Sequence, residues 1–353
     1  MDRTLDFLKE LVQAHGVPGF EDDVAKVMQK HLEGVGPFSR DRLGSFICEK
    51  VGDPKGPRIM LAGHLDEVGF MVRSVTKEGF VKFLPLGGWW GHVVLGQRLI
   101  IRTRKGDVLG VVGSKPPHEL RDEDRKKVLE IKDMYIDVGA TGDWDVKQNL
   151  DIRAGDPIVP DSAFTVMANP NLLLAKAWDN RIGCALAAET AHRLADVKHP
   201  NVLHVVATAQ EEVGLRGAKT SASKLRPDVG FALDVGIAHD TPGTEGDEKL
   251  GGGPLVVIYD SSSIPNRRLL DLVVSTAETA KIPLQFEAVE RGGTDAGRIH
   301  LSGEGVPCIS MGVPARYIHS HVSIIDRRDF EAAVKLLVAV VQRLDRKTVE
   351  GLT

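Results

Sequence analysis

The sequence predicts an α/β fold interrupted by an all-β insertion, and three observations predict it. Apolar residues recur at helical spacing at both ends of the chain: Leu5, Leu8, Leu11 and Val12 near the start, and Val334, Leu337, Val338, Val341 and Leu344 near the end. Between them, short apolar runs alternate with helical stretches, as they do when a sheet is covered on both faces. From about Met71 to Asp161 the texture changes to short alternating segments (VRSV, FVKFLPL, QRLIIRTR, DVLGVVGS, MYIDVG) separated by Gly-Asp, Lys-Gly and Pro-Pro turns. That texture reads as hairpins, in a small barrel or a PDZ-like module. The expected division is an α/β domain of residues 1–70 plus 165–353 and an inserted β domain of residues 71–164.

Taken in order, a second helix is expected at 21–32. The run Arg58–His64 is apolar and ends in polar residues, as a buried strand does at its mouth. Trp89-Trp90 lies in a Gly-rich connection of the insertion and reads as core or interface packing. After Phe164 the alternation returns. It predicts a helix at 181–194, a strand at 202–209, a helical stretch near Ser221 and a strand at 229–233. A strand at 255–259, a helix at 266–281, strands at 284–289 and 306–311 and a helix at 328–346 follow. No internal repeat or low-complexity segment occurs.

The bulk composition excludes several function classes. The 353 residues are 42% hydrophobic and 27% charged, as in an ordinary globular protein. A formal net charge of -4 leaves no basic field to hold nucleic acid or an acidic membrane surface. The basic run Arg125-Lys126-Lys127 sits among acids and reads as a solvated face. Cys48, Cys184 and Cys308 are far apart, without CxxC spacing, and lie in or beside apolar runs; buried free thiols in a reducing compartment are expected. The N-terminal stretch is amphipathic and carries acids, unlike a signal peptide, and no segment is long enough to span a bilayer. A cytoplasmic location follows as the expectation. No P-loop or dinucleotide fingerprint appears, and Gly251-Gly252-Gly253 reads as a flexible connection.

Five short motifs fall at predicted strand ends or adjoining helix starts, the edge where open α/β sheets bind ligands. In Gly63-His64-Leu65-Asp66-Glu67, His64 suits a metal and Asp66 could accept the hydrogen of its other ring nitrogen. In Trp178-Asp179-Asn180-Arg181, Asp179 is either a helix N-cap or a carboxylate whose two oxygens bridge two cations. Glu211 and Glu212 follow an apolar strand, a costly place for two acids unless they meet cations. Neighbouring side chains in extended backbone point apart, so one could bind metal while the other faces a water. Asp234 ends the run Val229-Gly-Phe-Ala-Leu-Asp, and Tyr317-Ile318-His319-Ser320-His321 follows a strand. Spacing alone does not choose between His319 and His321. Histidine plus carboxylate with almost no cysteine favours zinc, cobalt or manganese. Charge counting favours two ions: four positive charges are balanced by Asp179, Glu212, Asp234 and a bridging hydroxide.

In order, GHLDEVG, AWDNR, QEEVGLRGA, LDVG, GGTDAG and RYIHS closely resemble the tetrahedral (TET) aminopeptidases. The resemblance covers nearly the whole chain, from LKELVQAHGVPGFED onward. It implies a mixed-sheet catalytic domain of the dinuclear-metal exopeptidase type, with the β insertion as a lid that helps subunits pair. It also implies that His64, Asp179 and Asp234 hold one divalent metal and Asp179, Glu212 and His319 the other. Glu211 is then the general base, and Asp66 orients His64. The histidine directly after Arg-Tyr-x is the family's ligand, which points to His319; His321 stands where many relatives carry proline. The metals are zinc or cobalt, or manganese, and the substrates are peptides with a free N-terminus. Self-association into dimers or a tetrahedral dodecamer is implied as well.

The expected chemistry is attack by a metal-bridged hydroxide, with Glu211 moving the proton. The loop Gly292-Gly293-Thr294-Asp295 either lends substrate contacts or is a simple tight turn. Arg291 or Arg316 could favour acidic residues or be structural ion-pair partners. A glycoside hydrolase is the enzymatic rival, but it needs opposed carboxyls roughly 5 Å or more apart and leaves His64 and His319 idle. A non-catalytic peptide-binding scaffold is the rival from another class, and a carboxypeptidase or deacylase is the rival within metal-dependent hydrolysis.

Overall fold

The computed structural model describes residues 2–195 and 197–353. Helix Arg3–Gln13 starts where the Asp2 side chain accepts the Leu5 N–H, and it buries Phe7, Leu8, Leu11 and Val12. A second helix, Asp22–His31, buries Val24, Ala25 and Met28. Both pack against helix Trp178–Arg193, which lies on a mixed sheet whose middle is parallel. There Val202–Thr208 pairs with Arg58–His64, which pairs with Val229–Ile237, which pairs with Cys308–Arg316. Strand Val202–Thr208 is buried throughout and Arg58–His64 almost so, which explains their near-continuous apolar sequences. Antiparallel strands flank this centre: Phe46–Val51 and Phe38–Arg40 on one side, Ser323–Asp326, Leu172–Ala175 and Thr165–Val166 on the other. Leu255–Tyr259 also pairs with Cys308–Arg316 and carries Gln285–Ala288 beside it. Helices Trp178–Arg193, Arg267–Ala280 and Arg327–Arg343 contribute buried faces to the same core.

Six antiparallel strands close into a barrel in the order Gly69–Val75, Val81–Leu86, Tyr135–Asp137, Gly106–Gly113, Arg98–Thr103 and Pro157–Pro160. Its first strand begins five residues after His64, so the barrel grows directly from the mouth of a central strand. Phe70, Val72, Val81, Phe83, Leu99, Ile101, Val112, Ile136 and Ile158 fill it. Closure leaves no unpaired edge, so this module is a barrel rather than an open PDZ-like sheet. Trp89 stacks on Phe70 with centroids 4.7 Å apart and donates its indole N–H to the Gly69 oxygen (3.0 Å). Trp90 does not share that packing and is 62% exposed.

Some elements differ from their sequence expectation. Val229–Ile237 runs four residues past 233, because every residue from Gly230 to Ile237 has a partner on Cys308–Arg316. That partner is correspondingly longer than 306–311. Phe38–Arg40, Phe46–Val51, Leu172–Ala175 and Ser323–Asp326 give little alternation to read. All three cysteines are free and buried. Among the described residues, no helix is long and apolar enough to cross a membrane.

Candidate metal centre

The parallel strands deliver their C-terminal ends to one edge, and the five motifs meet there. His64 closes its strand fully buried. Its Nδ1–H donates to the main-chain oxygen of Asp66 (2.9 Å), and since a carbonyl can only accept, it is Nε2 that carries the lone pair when the ring is neutral. That nitrogen lies 3.1 Å from Asp179 Oδ1 and 3.7 Å from Glu211 Oε2. His319 repeats the arrangement. Its Nδ1–H donates to the Gly88 oxygen (2.8 Å), and its Nε2 faces Asp179 Oδ2 (3.3 Å) and Glu212 Oε2 (3.6 Å). Each imidazole is thus oriented by a main-chain carbonyl, as metal-binding histidines usually are.

Asp179 offers one oxygen to each histidine. It is free to do so because its neighbour takes the capping role. Trp178–Arg193 has non-helical angles at Asp179 and Asn180, and the Asn180 side chain accepts the Gly183 N–H (2.9 Å) while donating to the Leu233 oxygen (2.7 Å). Glu211 and Glu212 do not lie in extended backbone as expected. Gln210 is left-handed (φ 58°) and a turn follows, with the Gly214 and Leu215 N–H groups donating to the Glu211 oxygen. The Asp66 carboxylate holds that turn. Its two oxygens accept the N–H groups of Glu211 and Glu212, each at 3.0 Å. It stands 3.7 Å from His64 Nδ1, so the hydrogen bond to His64 comes from Asp66's main chain and not from its side chain.

Two groups of donors emerge, each close enough for one cation: His64, Asp179 and Asp234, and Asp179, Glu212 and His319. Asp179 belongs to both. The residues therefore fit a pair of metal ions on donor chemistry, on histidine orientation and on a buried Glu212 oxygen, Oε1, without a partner. His321 is elsewhere. It is buried against Trp89, with ring centroids 5.6 Å apart.

The protonation energetics carry the same message. Burial pushes the Glu211 and Asp234 carboxyls well above the usual range; His64 opposes this and the neighbouring acids reinforce it. Glu212 rises to about 8, from burial and then Asp179. Asp179 goes the other way: burial would raise it, but the His319 and His64 hydrogen bonds outweigh that and hold it low. Burial alone would lower both imidazoles. Glu211 and Asp179 raise His64 well above its usual value, and Asp179 and Glu212 lift His319 to about 10. An edge with this much excess buried acid is one that cations stabilise.

A cavity of about 360 Å³ opens over the donors, and Gly292, Gly293 and Thr294 line it. Asp295 does not. It is buried and accepts from Thr208 Oγ1 (2.5 Å), with its pKa pushed up to about 6 by burial. Arg316 is tied to Asp240 through two hydrogen bonds of 2.7 Å, so its structural reading stands and Arg291 alone of the two lines the cavity. Sequence reasoning missed the Gly88 carbonyl and the Asn180 cap. The Gly-rich stretch before Trp89 was the only hint of close backbone approach: a Cβ on Gly88 would sit 3.0 Å from His319 Nδ1.

A mixed α/β sheet with two histidines and clustered carboxylates sharing one aspartate at its C-terminal edge has the donor set of a dinuclear metallohydrolase. The chain belongs to the family described as M42 glutamyl aminopeptidase, whose profile matches residues 44–336; a second profile, described as AMPT, matches residues 2–28. It is an aminopeptidase. The chain is similar to a TET aminopeptidase structure from the marine sediment archaeon Thaumarchaeota archaeon SCGC AB-539-E09, at 45% identity and a TM-score of 0.98 over all of both chains. It is 38% identical to the glutamyl aminopeptidase of Lactococcus lactis, over 98% of this chain and 97% of that protein. It is also 30% identical to the Pyrococcus horikoshii TET1 peptidase, which can assemble into a tetrahedron or a large octahedral shell, with a TM-score of 0.86 over 97% of this chain and 100% of that one.

Proposed function

We propose that this aminopeptidase removes residues from peptides with a free N-terminus using two divalent cations, one held by His64, Asp179 and Asp234 and the other by Asp179, Glu212 and His319. The observation that carries this reading is the sharing of Asp179 between two donor groups. Imidazole and carboxylate donors suit zinc or cobalt, with manganese as the harder alternative. Held there, the two ions would supply Lewis acidity and make a nearby water easier to deprotonate. Glu211 is the general base. It takes the water's proton and returns one to the leaving amine, a role suited by its position beside His64 Nε2 (3.7 Å) and outside both donor groups. Asp66 positions Glu211 and Glu212 through their backbone N–H groups.

Self-association into dimers or a tetrahedral dodecamer belongs to this reading, and the dodecamer is supported by the full-length likeness to solved TET1 structures, one described as a dodecamer and one as a tetrahedron or octahedral shell. The barrel, which contacts the site through Gly88, is the lid and pairing module in this reading. The three buried free thiols are consistent with a cytoplasmic setting.

The test is exhaustive chelation followed by reconstitution with zinc, cobalt or manganese, assayed on leucyl, glutamyl and lysyl substrates and their N-acetylated forms. Activity that returns with metal and is confined to free amines supports the proposal. Turnover that survives chelation, or that is equal on blocked substrates, overturns it. Sedimentation gives the assembly state in the same preparations.

A further inference from the structure

Away from the donor groups, the cavity reaches Gly236, Ile237, Val257, Val289 and Glu287. Glu287 sits on the four-residue strand Gln285–Ala288, where it alone is buried. Its Oε1 accepts the Ile237 N–H (2.9 Å), while Oε2 is buried without a partner. Gly236 makes room for that oxygen, since a Cβ there would come within 2.2 Å of it. Asp234 and Gly236 share a strand two residues apart, so they lie on the same face, separated by about 7 Å. Glu287 therefore stands roughly one long side chain from the donors and lines the same cavity.

Asp260 is the other acid of the cavity outside the donor edge. It is saturated: Oδ1 accepts from Ser262 N, Ser262 Oγ and Ser263 N, and Oδ2 from Ser263 Oγ. Glu287 is not. We propose that Glu287 is a specificity-determining residue that selects peptides whose first residue is cationic, lysine or arginine, its Oε2 accepting the side-chain N–H. This rests on the reading of the site given above. Val257, Val289 and Ile237 supply apolar wall for the aliphatic stem of such a residue. Arg291 also lines the cavity and could instead draw an acidic residue, but it is exposed, and a solvated charge discriminates less than a buried one.

The experiment compares kcat/KM of the metal-reconstituted protein on lysyl, Nε-acetyl-lysyl, leucyl and glutamyl p-nitroanilides. Lysyl is expected to exceed Nε-acetyl-lysyl by about tenfold or more, the worth of one charged hydrogen bond. In Glu287→Gln the lysyl-to-leucyl ratio is expected to fall by about the same factor. A wild-type preference for glutamyl over lysyl overturns the proposal. So does a lysyl-to-acetyl-lysyl ratio near one, which needs no variant to fold, or an unchanged lysyl-to-leucyl ratio in a folded Glu287→Gln. Good leucyl turnover in those cases leaves the aminopeptidase site standing. No turnover on any substrate after reconstitution removes the reading of the site and this inference with it.

Discussion

Two buried charge clusters lie within a few residues of each other, and they are built on opposite principles. Glu67 meets protein cations: its Oε1 accepts from Lys176 Nζ (2.5 Å) and Arg181 Nη2 (3.3 Å), and Arg181 also donates to the Leu11, Ala14 and Gly16 oxygens. Three residues earlier, His64 opens the other cluster. There Asp66, Asp179, Glu211, Glu212 and Asp234 face two imidazoles and no lysine or arginine among the ion pairs described. The first cluster pairs its acid with two protein cations and fastens the N-terminal helix and its loop to helix Trp178–Arg193. The second has buried acid that the chain does not neutralise. The contrast shows that burial of charge does not itself mark function; uncompensated burial does.

The largest effect that sharpens this contrast is on the rate. Glu211→Gln should lower kcat by about 10²–10⁴-fold with metal content nearly unchanged, because it removes a proton carrier and not a ligand. Steady-state kinetics beside metal analysis check it, and full activity in this variant sinks the base assignment. Glu67→Gln should act on stability instead. It leaves two buried cations uncompensated and should cost about 3–5 kcal/mol in urea unfolding. A near-wild-type midpoint would show that this cluster is not the fastening it looks to be. Asp179→Asn should weaken both metal sites together, by about 100-fold, taking the loss seen for supporting contacts as the scale. Loss of a single ion per chain on dialysis would break the bridging assignment.

The smallest effect concerns pH. Burial raises the Glu287 carboxyl to about 7; the Ile237 N–H and His239 oppose the rise and Glu248 adds to it, His239 and Glu248 being paired at 2.8 Å. Below its ordinary pKa of 4.5 this carboxyl is neutral folded and unfolded alike. Between 4.5 and about 7 the folded state holds the extra proton, so stability from this group falls as pH rises through that window and stays lower above it. Glu287→Gln should therefore melt a few degrees above wild type at pH 8, with the gap closing by about pH 5. A gap that widens in acid would contradict it.

Much of the centre was legible because its residues come in short motifs at strand mouths. His64, Asp179, Glu211, Glu212, Asp234 and His319 all converge. What the motifs did not show is which atom does what. Asp66 looked like the orienting carboxylate for His64, yet its main-chain oxygen does that while its side chain holds the Glu211–Glu212 turn. Asp179 looked like a helix cap, and Asn180 is the cap.

By itself, the sequence determined the apolar strands that form the buried centre of the sheet, the alternating segments that close as a barrel, and the acidic and imidazole chemistry at one edge. Periodicity and residue type report on the element that carries them. Tertiary structure decided the pairings between distant elements. It set His319 against Asp179 and the Gly88 oxygen while seating His321 on Trp89. It also buried Glu287 opposite Gly236. The reason is geometric: a side chain's partner across hundreds of residues depends on strand order and register, which local patterns do not encode.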